Sequence, residues 1–149
     1  MTTAAIAANS VKINTGSTLT LGSGNLTVTT ASATSLGGIL FDNSGGAGGI
    51  TGNGITTSTA STELIFTVGG STPANAFTVA SNILNNTATA LTKAGTGVLV
   101  LSGTGNAYAG NTVINEGTVK LSGASANLLG TGAGSTYVRQ TGTLDINGA

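Results

Sequence analysis

Three short segments of this chain can be laid over one another, and that overlay limits what the chain can fold into. Gly97-Val98-Leu99-Val100-Leu101-Ser102-Gly103 matches Gly117-Thr118-Val119-Lys120-Leu121-Ser122-Gly123 at an offset of 20. The second unit matches Gly142-Thr143-Leu144-Asp145-Ile146-Asn147-Gly148 at an offset of 25, and the match extends back to set Val113 against Val138. Thr18-Leu19-Thr20-Leu21-Gly22 echoes the same unit near the start, and Asn25-Leu26-Thr27-Val28-Thr29 alternates in the same way. Alternation of apolar with polar or small residues marks a strand with one buried face. A strand unit that recurs at 20 to 25 residues buries that face by stacking on its own copies.

The expected fold is therefore all-β: a parallel β-helix (β-solenoid) with rungs of roughly 20–25 residues, forming a single domain over residues 1–149. Successive rungs would lie about 4.8 Å apart, and about six or seven of them would make a rod on the order of 30 Å long. The coil is expected to be right-handed, as parallel crossovers are. Leu19/Leu21, Leu99/Leu101, Val119/Leu121 and Leu144/Ile146 should point inward, and Thr20, Val100, Lys120 and Asp145 outward. Gly, Ser, Asn and Thr clusters supply the corners. Helical spacing is confined to one short candidate, Ala124-Ser125-Ala126-Asn127-Leu128-Leu129. A β-sandwich also has short strands, but it relies on aromatics across two broad faces and gives no reason for a unit to recur at rung length.

Composition agrees with a narrow, regular core. Aromatics are 3% of the chain (Phe41, Phe66, Phe77, Tyr108 and Tyr137), so Val, Ile, Leu and Ala must do most of the filling. Charged residues are 5%, and Lys12, Lys93, Lys120 and Arg139 balance Asp42, Glu63, Glu116 and Asp145 to a net charge of zero. No field exists to draw in nucleic acid or anionic lipid, so nucleic acid is not an expected partner. A mean hydropathy of +0.34 argues against disorder. No apolar run reaches the roughly 18 residues of a membrane helix, so no membrane insertion of this segment is expected. Met1 to Ser10 have neither a basic start nor a long apolar stretch, which places any export signal outside this sequence. The chain has no Cys, hence no disulfide framework.

The stretch Leu91-Thr92-Lys93-Ala94-Gly95-Thr96-Gly97-Val98-Leu99-Val100-Leu101-Ser102-Gly103 resembles the autotransporter passenger-associated β-strand repeat (the passenger-associated transport repeat). The resemblance continues from Asn106-Ala107-Tyr108-Ala109-Gly110 through Asn111-Thr112-Val113-Ile114-Asn115-Glu116-Gly117-Thr118-Val119-Lys120-Leu121. It covers 91–121, and a further rung is expected over 130–149. Ala107, Ala109, Asn111 and Val119 depart mildly from the family pattern. The resemblance implies a right-handed parallel β-helix that is secreted or displayed on the bacterial cell surface, serving as stalk and folding platform. It further implies a passenger fragment or a stand-alone relative, since no translocating barrel is in this sequence.

Chemistry is sparse. With no His, Cys or Trp, the commonest general base, thiol nucleophile and metal ligands are missing. No catalytic, cofactor-binding or metal site is expected. A carbohydrate-active β-helix enzyme needs clustered carboxylates on one face. Of the four acids, only Glu116 and Asp145 fall in neighbouring rungs, and they align with Thr141 and Lys120 rather than with each other. An outward Lys120–Asp145 ladder pair is the simpler expectation. Gly45-Gly46-Ala47-Gly48-Gly49-Ile50 lacks the acids of a calcium-binding roll and reads as a loop. Lys93 is expected to shield a corner or strand edge, and Tyr108 to cover a corner with its hydroxyl wet. Asn14, Asn43, Asn53, Asn106 and Asn147 read as turn residues. Thr18-x-Thr20, Thr27-x-Thr29 and Thr141-x-Thr143 form no continuous outward array of the ice-binding kind. The functional expectation is a non-catalytic structural module. The alternative is end-to-end self-association into filaments or adhesion, because a solenoid has open ends whose backbone groups invite another copy. No receptor or carbohydrate partner is identified.

Overall fold

The computed structural model describes residues 5–29, 37–58, 63–70, 72–86, 89–125, 127–132 and 134–146. Its strands fall into three files. The first holds β1 (Ile6–Ala8), β4 (Leu26–Val28), β7 (Gly54–Thr57) and β10 (Asn82–Ile83). The second holds β2 (Ser10–Ile13), β5 (Gly38–Phe41), β8 (Glu63–Val68) and β11 (Ala90–Ala94). The third holds β3 (Thr18–Leu21), β6 (Gly48–Gly52), β9 (Phe77–Val79) and β12 (Val98–Leu101). Two ten-residue strands, β13 (Thr112–Leu121) and β14 (Thr136–Asp145), run through both the second and third files.

Every strand pairing is parallel. The molecule is thus a β-solenoid of four three-strand turns, followed by two levels in which one long strand replaces two short ones. The 3-10 turn Pro73–Asn75 is the only helical segment among the described residues. Described residues of the 124–129 candidate form bends and turns instead.

The registers bear out the repeat alignment where it was closest. Leu99 lies beside Val119, and Val119 beside Leu144, at the offsets of 20 and 25. Elsewhere the spacing corrects the expectation. Ser10 lies beside Gly38 and Thr18 beside Gly49, offsets of 28 and 31, although Ile6 lies beside Leu26 at an offset of 20. Extra residues enter at corners, where loop length leaves the ladder unchanged; fewer full turns therefore fit than the six or seven expected. The backward extension fails for a local reason. An irregularity between Ile114 and Glu116 shifts the register, so Val113 pairs with Tyr137 and Ile114 with Val138. Near the start, Leu19 stacks on Ile50, and the row runs on through Val79 to Leu101. Thr18, not Thr20, therefore stands in the outward row of Val100.

The core is a set of such rows. One runs Val11, Ile39, Phe66, Lys93, Ile114, Val138. The expected inward residues Leu21, Leu99, Leu101, Val119 and Leu121 are buried, and Leu19 and Leu144 pack against the core. Ile146 departs from expectation and is 65% exposed: it lies past the end of β14, and among the described residues no strand covers it. Asn147 and Gly148 lie outside the described residues.

Aromatics matter more to this core than their number suggests. Phe41, Phe66 and Phe77 are all fully buried, with Phe41 stacked on Phe77 at 4.8 Å between ring centroids and Phe66 tilted 6.3 Å from Phe77. Gly48 makes the space: a Cβ there would lie 2.4 Å from Phe41 Cε2. Phe77→Ala leaves a cavity touching both other rings and is expected to lower unfolding stability by about 3–5 kcal/mol. Urea denaturation of the two proteins measures this, and a loss under about 1 kcal/mol would contradict the shared aromatic core.

Candidate functional site

Regular strands of the first file stop at β10, yet the coil continues for two more levels. The residues that allow this are Asn106, Tyr108 and Thr112, joined at the next corner by Lys93. All four are buried.

Asn106 stands in for a missing strand. Its Oδ1 accepts from the Ile83 backbone N–H at 2.8 Å, and its Nδ2 donates to the Leu128 carbonyl at 3.0 Å and the Gly103 carbonyl at 3.2 Å. A carboxamide carries the same acceptor and donor groups as a peptide unit. Here it occupies a peptide's place in the ladder, bonding the level below and the level above at once. The backbone on either side completes the stack: Ala107 N–H donates to Ile83 O, Gly110 N–H to Thr89 O, and Thr131 N–H to Tyr108 O. The expectation of a plain turn residue is corrected accordingly; Asn106 is 1% exposed and fully bonded.

Tyr108 is also corrected. It was expected to keep its hydroxyl wet, but the residue is 1% exposed and the hydroxyl bonds Thr112 Oγ1 at 2.8 Å. Burial pushes the phenol up to about 12, the Thr112 hydrogen bond drawing it slightly back. The ring fills the inside of the loop that replaces the strand, and Thr112 anchors it to the start of β13.

Lys93 does shield a corner, but from inside. It occupies the core row between Phe66 and Ile114 with no exposed surface. Its Nζ donates to the carbonyls of Ala94 (2.8 Å), Gly95 and Glu116 (3.1 Å). Three ammonium hydrogens thus meet three backbone acceptors at one corner. Gly117, with φ +69°, packs so tightly over this corner that a Cβ would lie 2.5 Å from the Gly95 and Gly97 carbonyl oxygens. Burial lowers the Lys93 pKa to about 8, with the Glu116 charge opposing the shift. At neutral pH the group is still mainly the ammonium.

The acids are dispersed. Asp145 lies 4.0 Å from Lys120, as the ladder alignment anticipates, and Asp42 lies 3.9 Å from Lys12. Both pairs are exposed enough to contribute at most about 1 kcal/mol each. Glu63 accepts from the Thr92 hydroxyl, and Glu116 lies beside Thr141 in the register. A cleft of about 580 Å³ on the outer side of the third file is floored by Val98 and Val100 and edged by the Lys120–Asp145 pair. A second polar cross-link, Thr57 Oγ1 to Thr89 Oγ1 at 3.0 Å, had no signal in a Thr-rich sequence. The bonding of Asn106 was equally hidden, although its place two residues before Tyr108 in the repeat pattern was visible.

Residues 91–121 match the family model described as the passenger-associated-transport-repeat. Lys93, Asn106, Tyr108, Thr112 and Gly117 all fall within that span. No curated protein and no solved structure matches the chain.

Two predictions follow from this geometry. Asn106→Ala leaves Ile83 N–H and the Leu128 and Gly103 carbonyls without this partner, and is expected to cost about 2–4 kcal/mol of unfolding stability; a loss below about 1 kcal/mol in urea would refute the ladder role. For Lys93 the sign follows from its depressed folded pKa. Between pH 8 and 10.5 the unfolded chain keeps a proton that the folded chain has shed, so stability from this group rises with pH. Wild type should therefore gain on Lys93→Met across that window, and a loss of ground would contradict the burial.

Proposed function

We propose that this chain is a non-catalytic structural segment of an autotransporter-type passenger, exported by a bacterium and held at the cell surface or released. In this reading residues 91–121 are a folding platform within a stalk. The observation that carries it is a coincidence of position: the residues matching the passenger repeat are those that bond one coil to the next where a regular strand is lost. The motif's polar residues are spent inside the coil, on backbone groups, and not on an outward surface. That is what a platform requires of them.

Other features support the reading. A chain without Cys needs no oxidant to reach its folded state after export. Its contacts run between neighbouring coils, so a folded coil offers the next one a complete template as the chain emerges.

Fused between an export signal and a transmembrane β-barrel in a Gram-negative host, the chain is expected to reach the outer surface as a protease-resistant rod. Deleting 91–121 should reduce the protease-resistant fraction several-fold. Equal resistance without the repeat would remove the platform role, and a wild-type chain that stays in the cell would remove the passenger reading.

A further inference from the structure

Asn53 and Gly54 form an Asn-Gly pair at the corner between β6 and β7, and two separate demands of the fold put it there. Asn53 is exposed, and its Nδ2 donates to the Ser23 carbonyl at 2.7 Å, tying this corner to the one below, between β3 and β4. Gly54 is buried at the start of β7, beside Asn82 in the register. A Cβ at position 54 would collide with the Leu84 side chain and would lie 3.1 Å from Asn25 Oδ1. The Gly54 N–H donates to that same Asn25 Oδ1 at 3.1 Å. The ladder therefore requires a carboxamide at 53 and no side chain at 54.

That combination is chemically labile in a chain whose backbone is free to move. A glycine leaves its own amide nitrogen unhindered and lets the backbone bring that nitrogen onto the carboxamide carbon before it. The Gly54 amide gives up its proton, its nitrogen bonds to Asn53 Cγ, and the Cγ–Nδ2 bond breaks with Nδ2 leaving as ammonia. Water then opens the five-membered imide at either carbonyl, giving aspartate or isoaspartate.

We propose that Asn53 is a deamidation site that the folded coil keeps closed and the unfolded chain opens. In the coil both reacting groups are held, the Gly54 N–H on Asn25 and the Asn53 carboxamide on Ser23. Reaction must wait for a local opening that breaks both bonds and loosens β7 from β4 and β10. Isoaspartate does not re-enter the coil. It adds a methylene to the backbone at a corner that sets the register of β7, and its carboxylate has no hydrogen to give the Ser23 carbonyl. Time spent unfolded is thereby recorded as altered chain that does not return. This goes beyond the passenger reading and does not depend on it.

Peptide mapping by mass spectrometry, with isoaspartate scored, tests this on the purified chain kept in mildly alkaline buffer with and without unfolding urea. In urea Asn53 should convert steadily, as should Asn147 of the other Asn-Gly pair, whose peptide is scored separately. Without urea, conversion at Asn53 should be about a hundredfold slower. Asn25→Ala should raise that folded-state rate roughly tenfold with circular dichroism unchanged. Asn25→Asp, which keeps an acceptor, should restore the slow rate. On dilution from urea, chains that regain protease resistance should carry intact Asn53, and isoaspartate should collect in those that do not. Equal rates with and without urea overturn the proposal, as does an Asn53 that stays intact in urea. That comparison uses the wild-type chain and decides even where Asn25→Ala fails to fold. A folded Asn25→Ala chain that reacts no faster removes Asn25 from the protection, and isoaspartate in the resistant fraction removes the block on refolding.

Discussion

Everything in this molecule depends on the parallel ladder between one coil and the next. A parallel pairing sets equivalent residues side by side, so once one coil is in register the identity of each neighbour is decided. Side chains then gather in rows along the axis, and a row is only as good as its worst member. Val11, Ile39, Phe66, Ile114 and Val138 make an apolar row into which the Lys93 stem fits because its ammonium finds three carbonyls at the adjacent corner. Without those acceptors the same side chain would be an unpaired buried charge.

Polar groups inside such a coil are tolerated only where they perform ladder work. Asn106 replaces a peptide unit between Ile83 and Leu128, and the Tyr108 hydroxyl closes on Thr112. These groups explain how a loop can take over from a regular strand without opening the first file. Among the described residues the exceptions are Asn43 and Ser81, which are buried with side-chain atoms that make no hydrogen bond, and nothing in the structure explains them.

The sequence revealed what is periodic and hid what is not. Leu99, Val119 and Leu144 could be aligned because β12, β13 and β14 share a register at constant strand length. The early turns could not, since their offsets run from 20 (Ile6 to Leu26) to 31 (Thr18 to Gly49), and corner loops of unequal length leave no fixed repeat to align. The break between Ile114 and Glu116 is a one-residue event, invisible to an alignment that assumes a fixed offset. Lys93 and Tyr108 were recognised as unusual, but their chemistry suggested a wet edge. Their burial follows from neighbours supplied by other turns: the Glu116 carbonyl for Lys93, and Gly130, packed against the ring, for Tyr108.

A coil built this way has no centre. Each level rests on its neighbours, so stability accumulates along the axis. The burial of β14 shows the consequence. Its sequence alternates much as β13 does, yet Val138 is half exposed while Ile114 beside it is fully buried. The difference is not in the residues but in the neighbours: among the described residues β14 pairs with β13 alone. The near absence of charge is what lets the rows stack, and the few charged residues that remain sit on outward positions such as Lys120 and Asp145 or, like Lys93, meet backbone carbonyls inside the coil.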